Sequence, residues 1–235
     1  MYQSKSFLAI IPARGGSKRL PRKNILDLAG KPLIEWSIEA GLKSKYIDKV
    51  VLTSEDAEIL AIAKDIGVEV IERPDELSRD TSTTFDVIKH AVESVEKYDY
   101  IVLLQPTSPL RNEQHIDEAV ELLIKKGADS IISVCELDHT PFWTNTLPND
   151  GSMKDFLRSE AVGKRSQDFE KYYRLNGAIY ICKTKPMMNY KTLFLKDNSY
   201  AYIMETGRSI DIDTYNDYLL ANLILREYID CQNNE

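Results

Sequence analysis

The strongest constraint on the fold of this chain is a recurring order: a short apolar run, then a stretch with helical periodicity, then another run. "FLAII" reads as a buried strand. "KPLIEWSIEAGLKS" follows, with Leu33, Trp36 and Ala40, and Ile34, Ile38 and Leu42, at helical spacing and Pro32 suited to the first turn. "KVVLTS" is a strand, and "DAEILAIAKDIG" is a helix with Gly67 in C-cap position. "VEVIER" is a strand, "TTFDVIKHAVESVEKY" a helix, and "YIVLLQP" an apolar strand stopped by Pro106. "HIDEAVELLIKKG" and "SIISVCEL" make another helix–strand pair. Continuous apolar strands alternating with amphipathic helices predict an α/β domain with a mainly parallel sheet, covered on both faces. Ligands of such sheets bind at the carboxyl ends of the strands. The loops after Ile11, Leu52, Ile71 and Leu104 are therefore the ones to inspect.

The order breaks after Glu136. Residues 137–171 carry prolines, mixed charge and the turn signal Asn149-Asp150-Gly151. The strands "NGAIYICK" and "YAYIMET" and the helix "TYNDYLLANLILREYI" then resume the pattern. The expected division is an α/β domain of residues 1–136 plus 172–235, with 137–171 inserted as an arm. A length of 235 residues suits such a domain and buries a core without staples.

With 30 Lys plus Arg against 37 Asp plus Glu, the net charge is -7, which argues against a general nucleic-acid binder. The three cysteines, Cys135, Cys182 and Cys231, are odd in number and far apart, and suit a reduced protein rather than a disulfide framework. No stretch reads as a signal peptide or a membrane span, so the cytoplasm is the expected location. His90, His115 and His139 are isolated, and the two on helices are expected at their surfaces; no hydrolase triad is visible.

Against this acidic background, "IIPARGGSKRLPRKN" places five basic residues between Arg14 and Lys23 with no acid. Gly15 and Gly16 permit positive φ and close backbone approach, and amides in such a turn form an anion nest. Arg14, Lys18 and Lys23 are the expected phosphate ligands. The turn lacks the spacing of a Walker A loop or a dinucleotide fingerprint. In "RSIDIDT", Asp211 and Asp213 point the same way if extended, which suits a hard divalent cation such as Mg²⁺; Asp213 or Thr214 also suits the cap of the last helix. In "LLQPTSPLR", Gln105 follows a buried strand and its amide suits a base or sugar, and Thr107, Ser108 and Arg111 offer similar contacts. "RPDELSRDTSTTFD" supplies Arg73, Asp80 and Thr83 or Thr84 as a helix cap.

As a set, "IIPARGGSKRLPRKN", "LQPTSPLR", "NGAIYI" and "SIDIDT" resemble the motifs of the acylneuraminate cytidylyltransferases, in register from about Ile10 to Tyr218. The resemblance implies a Rossmann-like nucleotidyltransferase domain whose inserted arm, about 137–171, serves dimerisation. It implies CTP and a nonulosonic acid as substrates, the CMP-sugar and pyrophosphate as products, Mg²⁺ as cofactor and a homodimer as the working form. Arg14, Ser17, Lys18, Lys23 and Asn24 would line the triphosphate. Arg73, Thr84 and Gln105 would hold cytosine and ribose. Asn176 and Tyr180 would meet the sugar together with Gln105, Asp211 and Asp213 would bind the metal, and Arg165 and Gln167 in "RSQD" would reach the sugar of the opposite subunit. "HTPFW" has Phe142 and Trp143 where some members carry a basic residue, which leaves the exact sugar open. CMP-legionaminate, CMP-pseudaminate and CMP-KDO synthesis are the alternative enzyme readings, and a non-catalytic nucleotide-binding module is the alternative outside enzymes.

Overall fold

The computed structural model describes residues 2–233. The elements in chain order are β1 (Phe7–Pro12), β2 (Asp27–Leu28), β3 (Lys31–Pro32), α1 (Leu33–Lys43), β4 (Lys49–Ser54), α2 (Ala57–Ile66), β5 (Glu69–Glu72) and α3 (Thr84–Glu93). They continue with β6 (Tyr100–Leu103), α4 (Glu113–Lys126), β7 (Ser130–Glu136), β8 (Tyr173–Lys183), α5 (Thr184–Tyr190), β9 (Ser199–Met204) and α6 (Tyr215–Asn233). Seven strands form one sheet in the order β5-β4-β1-β6-β8-β7-β9, and β2 and β3 form a separate two-stranded hairpin. Every neighbouring pair in the large sheet is parallel except the two that involve β8, which runs antiparallel to β6 and β7.

Burial on both faces explains the apolar runs. Along β1, Ala9 and Ile11 join a core with Ile34, Ile38, Ile59, Ile116 and Val120 from α1, α2 and α4. Leu8 and Ile10 point the other way, against Ile88 and Ala91 of α3 and Met187 of α5. A smaller cluster packs α6, through Ala221 and Leu225, on Leu28, Leu33, Leu110 and Ile212. Alternation along one strand therefore feeds two cores.

Helix ends follow local chemistry. Asp56 caps α2 by accepting from the amides of Glu58 and Ile59, both at 3.1 Å. Gly67 ends α2 at φ 92° and Gly127 ends α4 at φ 59°. Thr83 and Asp86 form the capping box of α3, and Asn112 and His115 that of α4. At α6, Asp217 N donates to Thr214 Oγ1 and Thr214 N to Asp217 Oδ2, so Thr214 is the cap and Asp213 is left for other work. Two expectations need correction, and one element carried no expectation. The third helix stops at Glu93, where the Ser94 amide and hydroxyl turn back to the carbonyl of His90. The segment after β8 forms the short helix α5. His90 and His115 are half-buried rather than on open helix surfaces.

Residues 137–171 leave β7 and return to β8 with only short 3₁₀ turns, at Pro141–Trp143, Ser159–Ala161 and Ser166–Asp168. The Phe142 and Phe169 rings stack at 5.3 Å, while Trp143, Leu147, Met153 and Leu157 are exposed. Cys135 and Cys182 are buried free thiols and Cys231 is exposed. Among the described residues no helix is long and apolar enough to cross a membrane.

Arg111, expected at the binding edge, is instead 2% exposed. Its guanidinium donates to the carbonyls of Gln105 (3.2 Å) and Ala178 (3.0 Å) and to Ser37 Oγ (2.6 Å). Burial lowers its pKa to about 9, which leaves it a cation at neutral pH. Ser108 is buried too, its hydroxyl donating to the carbonyl of Asn176 at 3.3 Å. Both residues brace the loop from behind. Replacing Arg111 by Met keeps the volume but leaves buried acceptors unpaired, and we expect a loss of about 3 kcal/mol of stability, measured by urea unfolding.

Candidate functional site

The parallel strands β1, β4, β5 and β6 deliver their following loops to one edge. Ladder bonds continue into those loops: Ala13 N to Thr53 O, Arg73 N to Ser54 O and Leu104 N to Ile10 O, each 3.0 Å. Between the loops lies a cavity of about 600 Å³. Arg14, Ser17, Lys18, Lys23, Asn24, Arg73, Thr84, Gln105 and Asp213 all line it, with Arg19, Ser78, Arg79, Asp80 and Thr107.

The basic turn is held by carboxylates. Arg14 pairs with Asp80 at 3.0 Å, and Lys18 pairs with the same carboxylate. Those two cations hold the Asp80 carboxyl below its usual range, the Lys18 hydrogen bond first. Arg19 and Lys23 pair with Asp213 at 2.9 and 3.0 Å, and Lys23 also donates to the Ile212 carbonyl at 2.6 Å. Arg22 turns away from the cavity onto Asp56 and Glu58, which raises its own pKa and lowers that of Asp56. Neither Gly15 nor Gly16 takes positive φ; Arg22 does, at 55°. Gly15 is required for proximity instead, since a Cβ there would collide with the Asp56 carboxylate, and its amide donates to Glu55 Oε1 at 2.8 Å. Asn24 ties the turn to itself, Nδ2 to Arg14 O at 2.8 Å.

Arg73 is 5% exposed and lies against Glu55 at 2.9 Å. Burial lowers the pKa of its guanidinium and Glu55 opposes that. Burial also pushes the Glu55 carboxyl up, but the Ser78 hydroxyl, its own amide and that of Gly15, and Arg73 outweigh it and hold it below its usual value. Gln105 sits over Gly177, where φ is 75° and an added Cβ would lie 2.8 Å from Gln105 Oε1. That is the role of the glycine in "NGAIY".

Other expected residues lie elsewhere. Asn176 is 1% exposed, and its amide is used in the interior. Its Oδ1 accepts from Ser133 Oγ (2.6 Å) and its Nδ2 donates to Ser209 Oγ (2.9 Å). Tyr180 packs in the core with Met187 and Leu193, with burial first and then the Asp211 charge raising its phenol pKa. Arg165 and Gln167 are exposed on the arm, Arg165 paired with Asp168 at 3.3 Å, away from the cavity of the same chain. Asp211 adjoins the cavity without lining it. It keeps an exposed edge, yet crowding by protein pushes its carboxyl above the usual value; the Thr107 hydroxyl opposes this and Asp213 adds to it. Among the described residues there is no cluster of three or more His, Cys, Asp and Glu that would cage a metal. Two neighbouring carboxylates nevertheless fit Mg²⁺, which takes one or two from protein and completes its shell with substrate phosphates and water. Sequence reasoning missed Glu55, Asp56 and the pairing role of Asp80. The first two follow Leu52, in a loop the edge rule had marked.

Comparison with known proteins gives the family of the chain. The family model described as "Cytidylyltransferase" matches residues 8–231. An N-acylneuraminate cytidylyltransferase of Streptococcus agalactiae is 38% identical over 214 residues, covering 90% of this chain and 51% of that protein. The chain thus spans about half the length of that relative. A pseudaminic acid cytidylyltransferase of Campylobacter jejuni is 34% identical, covering 93% of this chain and 96% of its own. A CMP-N,N'-diacetyllegionaminic acid synthase of Legionella pneumophila is 35% identical, covering 93% and 95%. The solved structure of a CMP:2-keto-3-deoxy-manno-octonic acid synthetase complexed with CTP superposes with a TM-score of 0.71 at 18% identity, covering 95% of this chain and 99% of that one, which supports the α/β nucleotidyltransferase fold. With the match running from β1 into the last helix, and relatives a third identical along nearly their whole length, the chain belongs to the cytidylyltransferase family.

Proposed function

We propose that this chain transfers the cytidylyl group of CTP to a nonulosonic acid of the sialic type, releasing pyrophosphate. The observation that carries this reading is the cavity at the strand edge, which is lined by Arg14, Lys18, Arg19 and Lys23 and also by Arg73, Thr84 and the Gln105 amide. A triphosphate needs the first set, and a base or sugar is oriented by the second.

The anomeric oxygen of the acid forms a bond to the α-phosphorus in line with the bond to the bridging oxygen, which breaks. Pyrophosphate leaves and the hydroxyl proton passes to water. Such transfer depends on positioning and charge neutralisation. Arg14 and Lys18 exchange Asp80 for phosphate oxygens, and Lys23 and Arg19 exchange Asp213. Released in this way, Asp213 would be free to hold Mg²⁺ together with Asp211. When bound, the ion would supply charge neutralisation at the α-phosphoryl group and lower the pKa of the attacking hydroxyl. Arg73 and Thr84 take the cytidine, beside Gln105. We assign the arm, with its exposed Trp143, Leu147, Met153 and Leu157, to pairing with a second copy of the chain, which would bring Arg165 and Gln167 to the partner's sugar.

The deciding experiment supplies CTP, Mg²⁺ and a panel of N-acetylneuraminate, legionaminate, pseudaminate and KDO, and follows pyrophosphate. Release with none of them refutes the reading, and the preferred acid names the substrate. Asp211→Ala is expected to stay folded by circular dichroism and to lose about a hundredfold or more in kcat, equivalent to ~3 kcal/mol. Asp80→Asn removes the anion that competes for Arg14 and Lys18, so calorimetry should show CTP binding tighter than in the parent chain. Weaker binding would mean that Asp80 orients the two cations rather than occupying them.

A further inference from the structure

Resting on the cytidylyltransferase reading, we propose that Glu55 is a positioning residue that joins the two walls of the nucleotide cavity, so that recognition of the base side and of the phosphate side stand or fall together.

The topology sets the geometry. Strand β4 lies between β1 and β5, so the first residue beyond it stands between the loop after β1 and the loop after β5. Glu55 occupies that position with one oxygen for each. Oε1 accepts from the Gly15 amide of the basic turn at 2.8 Å. Oε2 accepts from Arg73 Nη2 at 2.9 Å and Nε at 3.3 Å, and from Ser78 Oγ at 2.7 Å. Ser78 Oγ in turn accepts from Arg73 Nε at 2.8 Å, and Arg73 Nη2 reaches the Ala13 carbonyl at 3.3 Å. Arg73 and Ser78 line the cavity, whereas Glu55 lies behind them.

Charge makes the position exacting. Arg73 and Arg14 are near enough to repel. With its side chain 3% exposed, Arg73 has no water to replace a lost counter-ion, and a buried cation without its partner moves or disrupts its surroundings. A glutamine has one acceptor oxygen and an NH₂ group, so it meets at least one donor with another donor. An aspartate keeps the charge but is one methylene short of spanning both partners.

The test uses the full chain and its Glu55→Gln and Glu55→Asp variants, with thermal melts to confirm folding. Each is titrated calorimetrically with CTP, with cytidine and with inorganic triphosphate, and kcat/KM is measured for CTP and UTP. In folded Glu55→Gln we expect both fragments to bind about tenfold more weakly and the preference for CTP over UTP to fall. A residue that only supports the fold would shift the melting temperature and leave both fragment affinities and the preference unchanged, which overturns the proposal. Loss confined to one fragment in Glu55→Gln overturns it as well, because the walls would then be held separately. Should Glu55→Gln not fold, Glu55→Asp decides: weakening of both fragments together supports the bridge, and parental affinity for either fragment removes it. A parent chain that binds no CTP refutes the functional reading and this proposal together; a parent that binds CTP beside an unimpaired Glu55→Gln refutes this proposal alone.

Discussion

Five cations packed into the ten residues from Arg14 to Lys23 repel one another, and the site exists because carboxylates from other segments answer each of them. Asp80 takes Arg14 and Lys18, Asp213 takes Arg19 and Lys23, and Asp56 with Glu58 takes Arg22. These acids come from the segment between β5 and α3, from the turn before α6 and from the start of α2. One turn is thereby tied to three distant parts of the chain. The ties differ in kind. Asp56 also caps α2, so its grip on Arg22 is part of the fold. Asp80 faces the cavity from an exposed side chain, so its pairs exchange readily with an incoming anion.

Behind the charged surface the supports are neutral or buried. Arg111 fixes the Gln105 carbonyl from inside, and the backbone bond from Ile212 N to Thr107 O at 2.8 Å fastens that same loop to the turn of Asp211 and Asp213. Gly177 clears the path of the Gln105 side chain. The amide and the aspartates are thus joined through one loop, and the basic turn meets them through Lys23 and Arg19 on Asp213.

The strand and helix order was legible because strands buried on both faces leave long apolar runs, and because Asp56, Thr83, Asn112, Gly67 and Gly127 mark helix ends in ordinary ways. The cavity wall was largely legible too, since position after β1, β5 and β6 selects Arg14, Lys23, Arg73 and Gln105. Pairing was not. A sequence shows that Lys18 is basic but not that Asp80, 62 residues on, will meet it. Nor does it show which way a side chain turns at a strand end: Arg111 and Asn176 have the composition of ligands, and the packing of β8 against β6 and β7 draws both inward. Glu55 and Asp56 stood in a marked loop, but nothing in their spacing shows that they turn toward Gly15 and Arg22.

The antiparallel course of β8 has one more result. β7 ends and β8 starts at the same edge of the sheet as the cavity, so both feet of the 137–171 arm stand side by side there, joined by Leu137 N to Tyr172 O at 2.8 Å and by Lys171 to Glu136 at 2.7 Å. A segment rooted this way behaves like the handle of a drawer rather than a swinging tail. A pull on its far end is delivered to two adjacent strands at once, and one of them runs straight on into Asn176 and Gly177, beneath the glutamine.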